Sequence, residues 1–430
     1  MKGPVCGIDN CRSRRYEDGG DGYRYCQQGH QQPGLMELNE DREEDDTAAR
    51  ELRFKKKDVD DDVTTAPKIF EGPKANELYL ECVQLILRHH IRFLVKDQGF
   101  PQELETVVRD LWALGLGQVD PGEEPQEEAS DTEADNEADD EDNTNEEDLT
   151  TKPKRERKSS NTPRIRHCVA LCYLGFITLR LPVTPGDMYA WVTNELLPYR
   201  KAAGLLPLNM RKRLPSNYIA VLHPRPLRYN RLYQTITDLQ RSYSTDYGIV
   251  WPALNVPLLL HRYLKELALP LDIYDATRRL GEMIGYDFAP DPKNRWLEIH
   301  QLPEAQLVSC ILICVKMLHP LDGYERYGEA DEKTAVVMDW GVWRKTMETT
   351  ETTETSQEDV LQAVIGGMKN TTGAPKEGKK YPTWEYEEDL PEVTRMLYEK
   401  AARLAGVPMP ELLMAVLSTE EKMDEVKEGA

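Results

Sequence analysis

The sequence contains no Walker-type glycine loop, no H-E-x-x-H pair and no triad-like ordering of Ser, His and Asp. Those absences remove the common signatures of nucleotide hydrolysis, zinc proteolysis and serine hydrolysis. Long hydrophobic runs are missing as well. The longest, Cys168 to Leu179, is bounded by Arg166-His167 and Arg180. It is shorter than the about 20 apolar residues of a bilayer span and reads as a buried helix, so no membrane association is expected. The N-terminus is polar and lacks the apolar core of a secretory signal, so export is not expected either. Of the eight cysteines, Cys82, Cys168, Cys172, Cys310 and Cys314 show no disulfide framework, which suggests a reducing compartment. Cys168/Cys172 and Cys310/Cys314 are i, i+4 pairs in strongly apolar runs. That setting favours core packing over a second metal site.

The other three cysteines carry the strongest chemical signal. Cys6 and Cys11 form one short pair, Cys26 and His30 another, and fourteen residues separate the pairs. Two knuckles donating two ligands each make a structural zinc site: Zn²⁺ takes thiolate and imidazole tetrahedrally, and four protein ligands leave no open position for a substrate. The spacing predicts one zinc ion held by Cys6, Cys11, Cys26 and His30. A hairpin between the knuckles is expected, with Gly19-Gly20-Asp21-Gly22 as turn and Tyr16, Tyr23 and Tyr25 as strand residues. So small a segment cannot bury enough apolar surface to fold alone, so the metal must stabilise it. The first knuckle is C-x4-C where zinc ribbons usually have C-x2-C; Gly7 and Asn10 let the longer loop close. A catalytic metal site at Cys26 or His30 is the enzymatic alternative, and the closed ligand set argues against it.

Charge is segregated. Residues 120–148 contain sixteen Asp or Glu and no Lys or Arg, which accounts for most of the net −22. Residues 152–246 carry seventeen Lys or Arg against five Asp or Glu. Segregation of this kind suggests a body facing nucleic acid beside an acidic tract that is expected to be a disordered, self-repelling loop. Candidate phosphate-contacting residues are Lys154, Arg155, Arg157 and Lys158 in one run, which also reads as a nuclear-localisation signal. A second group is Arg211, Lys212, Arg213, Arg225, Arg228 and Arg231, interleaved with Tyr218 and Tyr229. Each cation that neutralises a phosphate releases counterions, so binding through them would weaken steeply with salt.

Helical periodicity dominates the remainder. Apolar spacing predicts helices over Asn76–Lys96, from Pro101 onward, over Arg164–Leu181, Leu232–Tyr243 and Asp272–Ile284, and over Leu302–Leu318. Thr184-Pro185-Gly186-Asp187 reads as N-cap, N1 and N3 of another helix that ends near Pro198. A further helix leads from Trp251-Pro252 through Leu267. The Thr/Glu-rich stretch Thr349–Thr355 reads as polar and disordered, and a helix-rich piece follows from Leu390 to Met423. No convincing strand appears outside the ribbon. The expected fold class is mainly α: a small β zinc ribbon, a charged linker and two helical bundles, with the acidic loop inserted in the first.

The ribbon ending Tyr25-Cys26-Gln27-Gln28-Gly29-His30 resembles the zinc finger of the TFIIB-like subunit of the RNA polymerase I core factor. That family includes a TATA-binding-protein-associated factor of the metazoan selectivity complex. Leu181-Pro182-Val183-Thr184, with Asp187, Trp191 and Leu197-Pro198-Tyr199, is similar to part of the family's first cyclin fold. Pro252 to Leu260 and Leu267-Ala268-Leu269-Pro270 resemble the second, and Val315 to Pro320 a later helix, in the same order. The resemblance implies a zinc ribbon (1–35), a reader or linker (36–70) and a first cyclin-like fold (71–224), into which the composition places a disordered acidic insertion at about 118–163. It further implies a second cyclin-like fold (225–320); composition and helical periodicity then predict a low-complexity linker (321–380) and a C-terminal helical region (381–430). The resemblance implies a non-enzymatic initiation factor in nucleus and nucleolus. The partners it implies are other core factor subunits, RNA polymerase I, TATA-binding protein and the ribosomal DNA promoter. A cyclin-like protein-interaction scaffold without DNA binding is the alternative. The C-x4-C knuckle and the acidic insertion depart from the family pattern.

Overall fold

A computed structural model describes residues 6, 11–14, 16–18, 24–26, 28, 30, 69–119, 162–294, 298–322, 336–352, 357–370 and 381–429. The turn Gly19–Gly22 with Tyr23, the linker 36–68, the acidic tract, and Lys154, Arg155, Arg157 and Lys158 lie outside the described residues. The chain divides into two units, Met1–Ala66 and Pro67–Ala430.

In the first unit, β1 (Tyr16–Asp18) pairs antiparallel with β2 (Arg24–Cys26) in the register Tyr16↔Cys26, Glu17↔Tyr25, Asp18↔Arg24. The spacer between the two ligand pairs therefore forms the expected hairpin.

The second unit is helical. Its N-terminal half consists of α1 (Pro73–Arg92, continued by a π-turn over Phe93–Asp97), α2 (Glu103–Leu116), α3 (Ile165–Thr178) and α4 (Pro185–Thr193), with short α5 (Leu208–Arg211) and α6 (Ser216–Val221), then α7 (Tyr229–Tyr247). The apolar run identified in the sequence is α3, and it sits at the centre. From Cys168 to Ile177 every residue is buried, because α1, α2, α4 and α7 cover it on different sides. Gly175 permits the closest approach: a Cβ there would lie 2.7 Å from Val108 and 2.9 Å from Leu104 of α2. An added methyl would force that contact apart, at a cost of about 1–3 kcal/mol. His90 is the inward-facing member of the His89-His90 pair, and its Nε2 donates to the Pro198 carbonyl at 2.6 Å.

The C-terminal half repeats this plan. The helices are α8 (Val256–Glu266), α9 (Asp272–Ile284), α10 (Pro303–Leu318), α11 (Trp340–Thr352), α12 (Gln357–Gly366), α13 (Glu392–Ala405) and α14 (Met409–Gly429). Here α10 is the apolar centre, buried without interruption from Leu307 to Lys316 and covered by α9, α13 and α14. The cysteine pairs fall on the two central helices, and all four thiols are buried. Burial pushes Cys172 and Cys310 up to about 12 and Cys314 to about 11, the state expected of core thiols. Among the described residues no single helix is long and apolar enough to cross a membrane.

Three features of the packing bear on the division of the helical unit. First, α7 packs on the first core: Leu232, Ile236 and Tyr243 lie there with Trp251, and the second core gathers residues from Leu254 onward. Tyr243 and Tyr247 tie α7 down by donating to the carbonyls of Leu111 and Leu114 at 2.9 and 2.7 Å. Second, the stretch 321–380 supplies core. Trp343 is fully buried and donates from Nε1 to the Leu267 carbonyl at 2.9 Å, and Met338, Met347, Val360 and Val364 join the same cluster. A two-residue ladder, Val336–Val337 with Lys369–Asn370, brackets α11 and α12 (β3 and β4). Third, α13 and α14 do not stand apart, since Leu397, Tyr398, Leu412 and Val416 complete the second core. Buried apolar side chains contribute about 1.5–3 kcal/mol each, which outweighs the polar composition of the flanking sequence.

Candidate functional site

The ribbon brings its four predicted residues together. The ligand atoms of Cys6, Cys11, Cys26 and His30 all lie within 4.8 Å of one another. Cys26 Sγ is 3.5 Å from His30 Nδ1, Cys6 Sγ is 4.0 Å from the same nitrogen, and Cys11 Sγ is 3.9 Å from Cys26 Sγ. A tetrahedral zinc ion, with bonds of about 2.3 Å to sulfur and about 2.0 Å to nitrogen, separates its ligands by roughly 3.5–3.8 Å. The cluster therefore fits one structural zinc ion, and the C-x4-C knuckle closes despite its length. The Cys6 amide donates to the Ser13 carbonyl and the Cys26 amide to the His30 carbonyl, both at 3.0 Å, so each knuckle folds back on itself.

Cys26 and Cys11 respond differently to this setting. Desolvation disfavours the Cys26 thiolate, but the amides of His30 and Gln28 and the side chains of Cys6 and His30 outweigh it and hold Cys26 at about 7. At Cys11 the Ser13 amide favours the thiolate, yet desolvation and the sulfurs of Cys26 and Cys6 raise it above the ordinary value. A dication at the centre would favour the thiolate at every sulfur, because only the deprotonated form binds metal. Among the described residues this is the cluster of His, Cys, Asp and Glu arranged for a metal.

In the helical unit the described basic candidates are at the surface. Lys212, Arg213, Arg225 and Arg228 are exposed, and Arg211 and Arg231 are half-buried. The Arg213 guanidinium lies 5.7 Å from the Phe70 ring centroid. Arg228 is the N-cap residue of α7, and Arg231 lies in its first turn, which contains no acidic side chain.

A polar seam between the two bundles was not visible in the sequence. Thr184 and Asp187 form the expected capping box on α4, with Thr184 N donating to Asp187 Oδ2 at 2.8 Å. The same carboxylate accepts both ends of the Arg262 guanidinium from α8, at 2.5 Å each. Arg262 also donates to the Pro182 carbonyl at 2.9 Å and to Glu266 at 2.6 Å. Burial works against the charged guanidinium, but Asp187 and then Glu266 overcome that and raise its pKa. Alongside, Thr184 Oγ1 donates to the Leu404 carbonyl at 2.5 Å, and Asn255 donates to the Arg180 carbonyl at 2.8 Å. Gly186 and Gly406 touch: a Cβ on Gly186 would sit 2.7 Å from Leu404 O and from Gly406 N, and Gly406 has φ 79°. Deeper in the seam, the Tyr173 hydroxyl of α3 donates to Glu304 of α10, both buried. Burial raises the Glu304 carboxyl, and Tyr173 opposes that.

A zinc ribbon preceding two helical bundles, each built around one apolar central helix, defines a TFIIB-like class of protein. Residues 2–34 match the family model for the zinc-finger of RNA-polymerase I-specific TFIIB, Rrn7. Residues 83–208 match the Rrn7/TAF1B N-terminal cyclin domain, and residues 225–389 the C-terminal cyclin domain. The chain belongs to the Rrn7/TAF1B family, as the resemblance implied. It is 25% identical over 374 residues to the RNA polymerase I-specific transcription initiation factor rrn7 of Schizosaccharomyces pombe, covering 80% of this chain and 68% of that one. It is 26% identical over 311 residues to RRN7 of Saccharomyces cerevisiae, covering 66% of this chain and 53% of that one. The chain thus spans 53% to 68% of the length of these relatives. Among solved structures, the crystal structure of S. cerevisiae core factor is similar with a TM-score of 0.45 and 16% identity, over 84% of this chain and 97% of that chain.

Proposed function

We propose that this chain is an RNA polymerase I transcription initiation factor acting as a core factor subunit in the nucleus, and within it the nucleolus. The observation that carries the reading is the order of the three family matches, ribbon, N-terminal cyclin and C-terminal cyclin, each named for the polymerase I-specific factor. The mechanism is binding and geometry, with no bond made or broken. The ribbon, closed by zinc at Cys6, Cys11, Cys26 and His30, docks on the polymerase. The helical body joins the other core factor subunits and TATA-binding protein and contacts the ribosomal DNA promoter. The seam between the bundles supports this reading, since it gives two cyclin domains one fixed relative orientation.

Lys154, Arg155, Arg157 and Lys158, together with Arg211, Lys212, Arg213, Arg225, Arg228 and Arg231, are the proposed backbone contacts. Arg228 and Arg231 support that role by position. A cation at a helix N-terminus is disfavoured by about 0.3–1 kcal/mol, so their placement there does not serve α7 itself.

The test is association of the zinc-loaded chain, with core factor subunits, to purified polymerase I and to promoter DNA across a salt series. Six phosphate contacts would weaken DNA binding by roughly 10³-fold between 50 and 200 mM salt, and each contact removed lowers the log–log slope by about 0.9. Failure to bind polymerase and promoter in every combination of subunits refutes the proposal. Salt-insensitive protein binding without DNA affinity identifies a scaffold instead.

A further inference from the structure

The end of α1 gathers cations that neither the ribbon nor the proposed promoter contacts use. Arg88, Arg92 and Lys96 recur every four residues, which sets them on one face, and all three are exposed. That face is concave. With His89 the three cations line a cavity of about 480 Å³ whose apolar floor is Leu85, Ile91 and Val95. Glu105 of α2 is the one carboxylate in the lining. Like charges at i, i+4 repel by a few tenths of a kcal/mol, and an anion laid against the stripe would relieve that repulsion.

The chain carries a matching polyanion. Residues 120–148 hold sixteen Asp or Glu with no Lys or Arg, and they follow directly from the end of α2. The described chain stops at Val119 and resumes at Thr162, beside α1, where Tyr79 donates to the Pro163 carbonyl at 2.8 Å. The cavity lies toward the opposite end of α1, about 20 Å away at 1.5 Å per residue. Fully extended, the roughly 40 residues between Val119 and Thr162 would span on the order of 140 Å, so the chain length permits the tract to reach the cavity and return. Tethering within one chain would also raise the local concentration of the acidic side chains at the cations.

We propose that the acidic tract 120–148 docks in cis on the Arg88–Arg92–Lys96 face of its own first bundle. The contact is electrostatic and multivalent, so it weakens as salt shortens the Debye length from about 10 Å at 0.1 M to about 3 Å at 1 M. Docking in cis does not depend on promoter binding.

Photo-crosslinking tests it in the full zinc-loaded chain. With benzoylphenylalanine in place of exposed His89, crosslinked peptides are expected within residues 120–148 of the same molecule at 50 mM salt. Their yield should fall at least tenfold at 1 M salt, and again in the R88E/R92E/K96E variant. Because that variant alters α1, a second one keeps the groove and replaces the Asp and Glu of the tract by Asn and Gln; it should lose the crosslink equally. Crosslinks that map elsewhere, survive high salt or survive tract neutralisation overturn the proposal. So does a yield that rises with protein concentration, which would mean docking between chains, or crosslinking to added non-specific duplex DNA with none to the tract in its absence.

Discussion

Removing the Arg262–Asp187 bridge should loosen the first bundle from the second while leaving both cores intact. The side chains are 26% and 16% exposed, so the pair is mostly but not fully withdrawn from water. Breaking a buried pair costs about 3–5 kcal/mol when the abandoned charge has no other partner. Here Arg262 would retain Glu266 and the Pro182 carbonyl, and Asp187 would retain the Thr184 amide, so each single change should cost about 2–3 kcal/mol. The two sites are in direct contact, so the double variant Asp187→Ala/Arg262→Ala should fall short of additivity by about 2 kcal/mol. Hydrogen exchange by mass spectrometry reads this locally. A loss of 2 kcal/mol raises exchange of protected amides in Pro185–Thr193 by roughly thirtyfold, while amides of α3 and α10 keep their protection. A coupling below about 0.5 kcal/mol, or faster exchange of α3 and α10 in step with α4, would refute this account of the seam.

Acid should destabilise the first bundle through two histidines. Burial lowers His90 to about 4; burial, with Arg166 and Arg164 adjacent, lowers His167 to about 3. Both stay neutral in the fold but protonate near 6.5 when unfolded, so stability is full above pH 6.5 and is lost as pH falls toward 4. By linkage each contributes about 2 kcal/mol of loss at pH 5, and urea midpoints at pH 7 and 5 should converge in His90→Gln and His167→Gln. Cys11→Ser should release zinc, measured with a chromogenic chelator, and should abolish protection of the hairpin amides; full retention of zinc would mean that Cys11 is not a ligand. Glu304→Gln should change stability by less than about 1 kcal/mol, since an amide oxygen still accepts from Tyr173. Glu304→Leu should cost about 1–3 kcal/mol by stranding that hydroxyl, as read by thermal unfolding.

What was legible in the sequence was local or periodic. The ribbon could be read because ligand type and spacing are encoded within 25 residues, and the Thr184–Asp187 box because a capping motif spans one turn. The two central helices announced themselves by being apolar on every side. Long-range partners left no comparable trace. Nothing beside Arg262 points to a carboxylate 75 residues upstream, and the helical pattern of α7 shows that it buries a face without saying against which core. The stretch around Trp343 falls within the expected low-complexity linker, yet it supplies core. Thr349–Thr355 is polar, but the core contacts come from Met338, Trp343 and Met347 just before it. A short amphipathic helix beside a polar run is easily averaged into that run.

The five helix cysteines divide three and two: Cys82, Cys168 and Cys172 lie in the first core, Cys310 and Cys314 in the second. Each is buried and held as a poorly reactive thiol. A pulse of alkylating reagent applied to zinc-loaded protein during unfolding would therefore write a bar code into the mass of each molecule. Three added groups report that the first cyclin domain opened, two report the second, and five report that both gave way together. The arrangement is an internal clock for whether the bundles come apart singly or as one.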